Sequence, residues 1–522
     1  MAVSPAGRRF RAIVCALVVL ALVARALPGP RTIDDAFITF RYSRNLTDGL
    51  GFVYNPGVHT LGTTTPLWAM LMSATAVLTG GRDFPHYAIW WSALADALSA
   101  VLLFVLARRL IANDWVAALP GLLHALAPMS VTFAVGGMET SLVTLWMLAA
   151  FALYALAPPD EAPSRRRLRE AAVGLLGAFA VLTRVDSLLW LAPLLGWQML
   201  EALRQRRLPW ATWAALAAVL LPFALWSWST FGSPLPNSVT AKRFAYAVAP
   251  LDALAGLVRN YANLFSAYNL YGSVGTMVSG VIVLAGSLLA FSGSARRLPR
   301  LLPLLAYPWL YFVVFAIANP LMFRWYFAPP LPVLMLATFA GLWGLAAALL
   351  RERGRRALPA LVGAAGALAL ASTLTAWTLA PDHGPARPAP KMAWHALELL
   401  YERMGRLLVE RYGVTADTRV ASADIGAIGY FSGATIVDTV GLVTPELTRY
   451  YPVDPALLAD DQIYAIPPQL ILDQQPAFLV TMEGFVREGL ARDPAFLAQY
   501  ALVEAFPFPY YGTEMQLWQR RG

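Results

Sequence analysis

Two adjacent carboxylates, Asp34 and Asp35, stand in RTIDDAFITFRYSRNL, directly after the first long apolar run of this 522-residue chain. A carboxylate within hydrogen-bond reach of a hydroxyl can take its proton as a general base. Ile33, Ala36, Phe37 and Phe40 fall at i, i+3, i+4 and i+7, one apolar stripe of a helix. Asp34 and Arg41 share a different face. The segment reads as a short amphipathic helix in the headgroup layer, its acids turned toward water or a cavity. Either acid could be the base; Asp34, which shares a face with Arg41, suits an ion pair, and this favours Asp35. The plain alternative is a pair of acids capping a helix N-terminus.

Further polar groups gather at the ends of apolar runs. Glu139 lies in GGMETS, Arg184 and Asp186 in TRVDS, Lys242 and Arg243 in PLPNSVTAKR, Arg324 in MFRWYF, with Arg41 and Arg44 in the first loop. Arg and Lys at a membrane edge can bind a lipid-linked phosphate and offset the charge that develops as it leaves. Each has a structural alternative. Arg184 and Asp186 could form an ion pair, Glu139 could cap a helix, and Lys242 and Arg243 could snorkel to the interface. Arg324, beside Trp325 and Tyr326, also fits an aromatic belt. Asp34, Asp35 and Glu139 could supply oxygen ligands to a divalent cation, but no cofactor is required. The five histidines are scattered without ligand spacing, and ADIGAIG falls short of a dinucleotide fingerprint.

The elements that must position these residues belong to a membrane protein. The chain is 58% hydrophobic and 14% charged, with a net charge of +9. Apolar runs of about 20 residues recur, enough for about eleven transmembrane helices. They cover Ala12–Leu27, His86–Ala107, Trp115–Val135, Met138–Ala157, Glu170–Thr183, Leu188–Leu203, Trp210–Thr230, Ser273–Phe291, Leu301–Ala318, Trp325–Leu350 and Ala357–Ala380. Arg184 and Asp186 interrupt the run from Ala171 to Leu203, which is too long for one span and reads as a hairpin. The arginine clusters all fall on one side when the N-terminus is cytoplasmic, so the positive-inside rule accounts for the basic balance without nucleic acid. The candidate residues then collect on the outer face. Asp96, inside the second run, is the exception. Cys15 is the single cysteine, which excludes disulfides within the chain.

Residues 1–380 are thus expected to form the transmembrane domain, with 28–85 as a first extracytoplasmic loop. Residues 381–522 are expected to form an extracytoplasmic C-terminal α/β domain. A Pro-rich linker leads into an amphipathic helix over Trp394–Tyr412, then strand patterns in TRVASAD, TIVDTVG and AFLVTM.

DDAFITFRYSRNLTDGLGFVYNPG followed by LGTTTPLW resembles the first extracytoplasmic loop of the GT-C glycosyltransferases. It is most similar to the actinobacterial arabinofuranosyltransferases that use decaprenyl-phosphate arabinose. GMET, TRVDS, PNSVTAK and FRWYFAPPLP are similar to family segments in the same order. The tail is similar only in ADIGAIGYFSG and DTVGL, and it is shorter. The resemblance implies a polytopic GT-C fold, a polyprenyl-phosphate sugar donor, a glycan, lipid or protein acceptor, and a first-loop acid as catalytic base, Asp34 or Asp35. Arg41, Glu139, Arg184, Asp186, Lys242, Arg243 and Arg324 are the expected substrate-binding residues. A transporter or flippase for lipid-linked sugars, or a non-catalytic envelope-assembly protein, is the alternative; a transporter would carry polar groups at mid-bilayer in several spans.

Overall fold

Among the described residues, helix occupies each apolar run that the sequence marks; the end of the last run, 378–380, lies outside them. The computed structural model describes residues 5–158, 160–246, 248–318, 321–350, 356–377, 393–509 and 512–522, without the side chains of 5, 239, 240, 243, 244, 393 and 394. The first helices are α1 (Pro5–Ala26), α2 (Asp34–Thr47), α3 (Pro66–Thr79) and α4 (Phe84–Ala107). Next come α5 (Asp114–Ala117), α6 (Leu119–Leu126), α7 (Pro128–Val135), α8 (Thr140–Ala155), α9 (Pro163–Thr183), α10 (Leu188–Arg204) and α11 (Trp210–Phe231). After these stand α12 (Ser238–Ala245), α13 (Pro250–Ala262), α14 (Ala267–Arg297), α15 (Leu302–Ala318), α16 (Leu331–Leu349) and α17 (Leu358–Leu374).

Among the described residues, five helical segments are long and apolar enough to cross a membrane. They are Phe84–Ala107, Trp210–Phe231, Ala267–Arg297, Pro299–Ala318 and Arg324–Leu349. Asp114–Leu126 and Pro128–Val135, bent by 42°, make a sixth if taken as one span. Pro128 explains the bend, because it pushes Ala127 out of the helical region to φ −62°, ψ 125°. Eleven spans are not reached on these criteria: α8 is 16 residues long, and α9 opens on the charged PSRRRLRE. The expected hairpin is present. Arg184 is extended at the end of α9, a 3₁₀ turn spans Val185–Ser187, and α10 returns. Arg207 reaches Glu170, and Gly177 lies against Leu191, so the two helices run antiparallel.

Asp96 is accounted for. It is fully buried in α4, where Arg25, His124 and Ser141 bind its carboxylate at 2.9, 3.2 and 2.9 Å. Arg25 also donates to Ser130 at 2.7 Å and to the Ala125 carbonyl. A buried charge is tolerated when it is paired and hydrogen-bonded, as here. The network ties α1, α4, α6, α7 and α8 together.

The C-terminal unit begins with α18 (Ala393–Glu410) and continues through β1 (Arg419–Ser422), α19 (Gly426–Ser432) and β2 (Thr435–Asp438). It ends with α20 (Pro468–Gln474), β3 (Phe478–Met482), α21 (Pro494–Gln499), β4 (Tyr500–Phe508) and β5 (Thr513–Arg520). The sheet order is β2-β1-β3-β5-β4; β1 is parallel to β2 and β3, and β5 is antiparallel to β3 and β4. Fully buried runs such as FLVTM form the central strands, as expected where helices cover a parallel sheet.

This unit is packed onto the first loop. The predicted stripe of α2, Ile33, Ala36, Phe37 and Phe40, is buried, but so is the opposite face, including Arg41 and Ser43. The helix therefore does not lie half in water; α3 covers one side and α19 the other. Gly426 and Gly429 permit this approach, since a Cβ at either would collide with Asp34 or with Tyr54 and Arg41. That is the physical use of ADIGAIG. Asn55 pairs through its side-chain amide with both backbone groups of Ile436 on the edge strand β2, at 2.8 and 3.0 Å. Asn237 donates to the carbonyls of Gly441 and Leu442 at 2.6 and 3.0 Å. VYNPG and PNSV are thus docking segments for the C-terminal unit.

Candidate active site

α2 starts at Asp34 because Ile33 is extended, which brings both acids to the front edge of the first-loop helix. Adjacent helical positions point about 100° apart, so the two carboxylates take different partners. Asp34 does not pair with Arg41. Its oxygens accept the backbone N–H groups of Gly426 and Ala427, each at 2.8 Å, at the start of α19. Helix N-termini bind carboxylates in this way. Asp35 instead faces Lys242 of α12, whose Nζ lies 3.4 Å from Oδ2.

Both acids border a cavity of about 200 Å³ between α2, α12, the Phe323–Trp325 segment and the C-terminal unit. Its polar lining is Asp34, Asp35, Lys242, Glu398, Tyr401 and Asp424, with the ring of Tyr246 beside them. Phe323 and Trp325 stack with centroids 4.5 Å apart, and Lys242 lies 5.0 Å over the Phe323 ring. Burial alone disfavours the Lys242 ammonium, but the Asp35 carboxylate opposite outweighs it and holds the pKa above the ordinary lysine value.

Glu398 and Asp424 were not among the residues marked in the sequence. Glu398 is buried, and among the described residues neither of its carboxylate oxygens has a hydrogen-bond partner. Burial, with Asp34 and Glu402 nearby, pushes it well above the ordinary glutamate range. Asp424 accepts the Tyr401 hydroxyl at 2.5 Å. A signal existed for each. Glu398 falls on the same helical stripe as Tyr401 and Leu408 of α18, a carboxyl where an apolar residue belongs. Asp424 follows β1, and the carboxyl ends of parallel strands are where ligands bind.

The other marked residues lie elsewhere. Arg41 is buried and donates to the carbonyls of Tyr54, Gly429 and Ala434 at 2.9, 2.7 and 2.6 Å, and to Asn55 at 3.3 Å. Arg44 donates to the Tyr430 carbonyl at 2.8 Å and lies over its ring. Both clamp the C-terminal unit to α2. Arg184 binds Asp186 through two bonds of 3.0 and 2.7 Å and Glu139 at 3.0 Å, and it stacks on Tyr326. That buried cluster is not part of the cavity lining. Arg324 is half-buried between Phe323 and Trp325, which do line it. The side chain of Arg243 lies outside the described residues. Among those described, no three His, Cys, Asp or Glu side chains converge so as to hold a metal ion.

The acids make the docking of the C-terminal unit pH-dependent. Burial, reinforced by Asp424, pushes Asp34 up to about 8 despite its two backbone donors, and Asp424 is raised with it. A carboxyl with a raised folded-state pKa holds its proton more tightly folded than unfolded. Its contribution is full below about pH 4 and is lost as pH rises through about 8. The melting temperature of the detergent-solubilised protein should therefore fall between about pH 5 and pH 8.5. A flat or rising profile would contradict this arrangement.

Residues 391–518 match a family described as Domain of unknown function (DUF8728). Among curated protein sequences none matches. Among solved structures, ArnT from Cupriavidus metallidurans bound to undecaprenyl phosphate aligns with TM-score 0.57 and 14% identity, over 97% of each chain. The archaeal oligosaccharyltransferase AglB from Archaeoglobus fulgidus, in complex with an inhibitory peptide and a dolichol-phosphate, aligns with TM-score 0.57 and 13% identity, over 97% of this chain and 74% of its own. The mycobacterial arabinofuranosyltransferase AftD aligns over 99% of this chain and 40% of its own, with TM-score 0.46 and 12% identity. ArnT and AglB are GT-C glycosyltransferases. The chain has the GT-C fold, that of multi-pass membrane proteins, with a C-terminal sheet unit closed over its first loop.

Proposed function

We propose that this protein is a GT-C glycosyltransferase that moves a sugar from a polyprenyl-phosphate donor to an acceptor hydroxyl of a cell-envelope glycan, lipid or protein. The observation that carries this reading is Asp35 facing Lys242 across one cavity at the edge of the helical bundle. Asp35 takes the proton of the acceptor hydroxyl as that oxygen bonds to the anomeric carbon. The bond from that carbon to the phosphate oxygen breaks, and polyprenyl phosphate leaves. Lys242 neutralises the charge gained by the phosphate, a role for which a half-buried ammonium is suited. The aromatic wall and the acids Glu398 and Asp424 hold the sugar, by ring contact and by hydrogen bonds to its hydroxyls.

In this reading all eleven apolar runs are membrane spans, the arginine clusters are cytoplasmic, and the cavity and C-terminal unit stand at the outer face of the cytoplasmic membrane. Arg243 and Arg324 assist Lys242 with the phosphate. Glu139, Arg184 and Asp186 position Tyr326 and the segment beside it, and Arg41 positions α2. No cofactor takes part.

The test is transfer by the purified protein with a panel of polyprenyl-phosphate sugars, with and without EDTA. Transfer from at least one donor, unaffected by EDTA, is expected. Lys242→Ala should weaken binding of undecaprenyl phosphate at least tenfold, since a charge-assisted contact is worth about 1.5–3 kcal/mol. No transfer from any donor, together with unchanged lipid-phosphate affinity in Lys242→Ala, would overturn the reading.

A further inference from the structure

The end of the α9–α10 hairpin away from Arg184 carries a second cavity, of about 610 Å³. Arg166 and Arg167 from the first two turns of α9, Arg206 and Arg207 from the turn after α10, and Glu170 line it, with Leu203, Leu208 and Trp210. From the first turn of α9 to Arg184 the helix rises about 30 Å, one hydrocarbon thickness. In the eleven-span reading proposed above, on which this inference rests, the cavity opens at the membrane face opposite the candidate active site.

Its charge is unbalanced. Glu170 neutralises Arg207 at 2.6 Å, while among the described residues the guanidinium groups of Arg166, Arg167 and Arg206 make no hydrogen bond or ion pair. Arg167 lies 6.0 Å over the Trp210 ring. Arg206 is held at φ 50°, in the left-handed region that an arginine adopts only at a cost. Leu203, Leu208 and Trp210 are exposed on the same rim. Trp210 opens α11, a helix long and apolar enough to span, so this rim meets the edge of the bilayer. Guanidinium groups bind phosphate oxygens in pairs, and the apolar rim suits acyl chains.

We infer that this arginine-lined cavity binds the head group of an anionic phospholipid. A soluble phosphate would satisfy the guanidinium groups but would leave Leu203, Leu208 and Trp210 without a partner, which is why the lipid is the better occupant.

Native mass spectrometry of the delipidated full-length protein tests this. Dioleoylphosphatidylglycerol should bind as a discrete adduct, tighter than dioleoylphosphatidylcholine. The variant Arg166→Gln/Arg167→Gln/Arg206→Gly should lose on the order of a hundredfold in phosphatidylglycerol affinity. Arg206→Gly alone removes one guanidinium while relieving the backbone, so a severalfold loss without any loss of melting temperature is expected. Equal affinity for the two lipids, or unchanged binding in the triple variant, would overturn the inference. So would inorganic phosphate binding the cavity at millimolar concentration and displacing the phosphatidylglycerol adduct, the mark of a free-phosphate site.

Discussion

Asp35→Asn should lower sugar transfer by about 10²–10⁴-fold while leaving the melting temperature and undecaprenyl phosphate binding unchanged. Asparagine keeps the shape of the side chain and can still meet Lys242, but it cannot take a proton. Asp34→Asn should fail differently. Both oxygens of the Asp34 carboxyl, protonated or not, can accept a backbone N–H group of α19, and an amide has an acceptor for only one of them. The other meets an NH₂ group, so the C-terminal unit docks less well and the protein melts earlier. Whatever fraction stays folded retains a base. Neighbouring acids, changed in the same way, thus separate into a chemical effect and a structural one. Near wild-type transfer by Asp35→Asn would move the base to another acid on the cavity wall, Asp424 first. A drop in melting temperature equal to that of Asp34→Asn would mean that Asp35 too is part of the dock.

What could be read along the chain, and what could not, follows from the range of the interactions. The apolar runs, the break at TRVDS and the three strands RVAS, TIVD and FLVTM are local patterns, and the structure places helix or strand on each. α12 and α13 left no hydrophobic run and were not foreseen. The apolar stripe of α2 was legible because it repeats every turn. The burial of its other face was not, because the covering element, α19, lies nearly 400 residues away, as the Arg41–Gly429 contact at a separation of 388 shows. The same distance hid the partner of Asp34. Two local facts, a shared helix face and opposite charge, pointed to Arg41, but both groups are consumed by the C-terminal unit. In the sequence, Lys242 stands out by its charge at a membrane edge, and its partner Asp35 by its place in the first loop. Only the fold brings them within 3.4 Å. The segments VYNPG, PNSVTAK and ADIGAIG resembled a family for reasons that a motif cannot display. Asn55, Asn237 and the two glycines Gly426 and Gly429 hold two parts of the chain against each other, and only through that contact do they shape a cavity.

The clearest sign that this cavity was built for a ligand would be a substitution that stabilises the protein and disables it. Glu398→Leu is that substitution. The Glu398 side chain is buried with both oxygens unpartnered among the described residues, and a buried polar group without a hydrogen bond costs about 1–3 kcal/mol. Leucine is close in size, suits the apolar stripe shared with Tyr401 and Leu408, and removes that cost. The melting temperature should rise by a few degrees, most at the higher pH values where keeping the acid protonated is hardest. If Glu398 hydrogen-bonds the sugar, the same change removes a neutral contact worth about 0.5–1.5 kcal/mol, a factor of roughly 2–13 in transfer. Binding of undecaprenyl phosphate, which has no sugar, should not change. Glu398→Gln keeps the hydrogen-bonding end without the ionisable group, and its transfer should fall between the two. Proteins give up stability at sites they use, so opposite signs for stability and transfer indicate use. A destabilised Glu398→Leu would make the residue structural, and a stabilised variant with full transfer would leave the sugar without this contact.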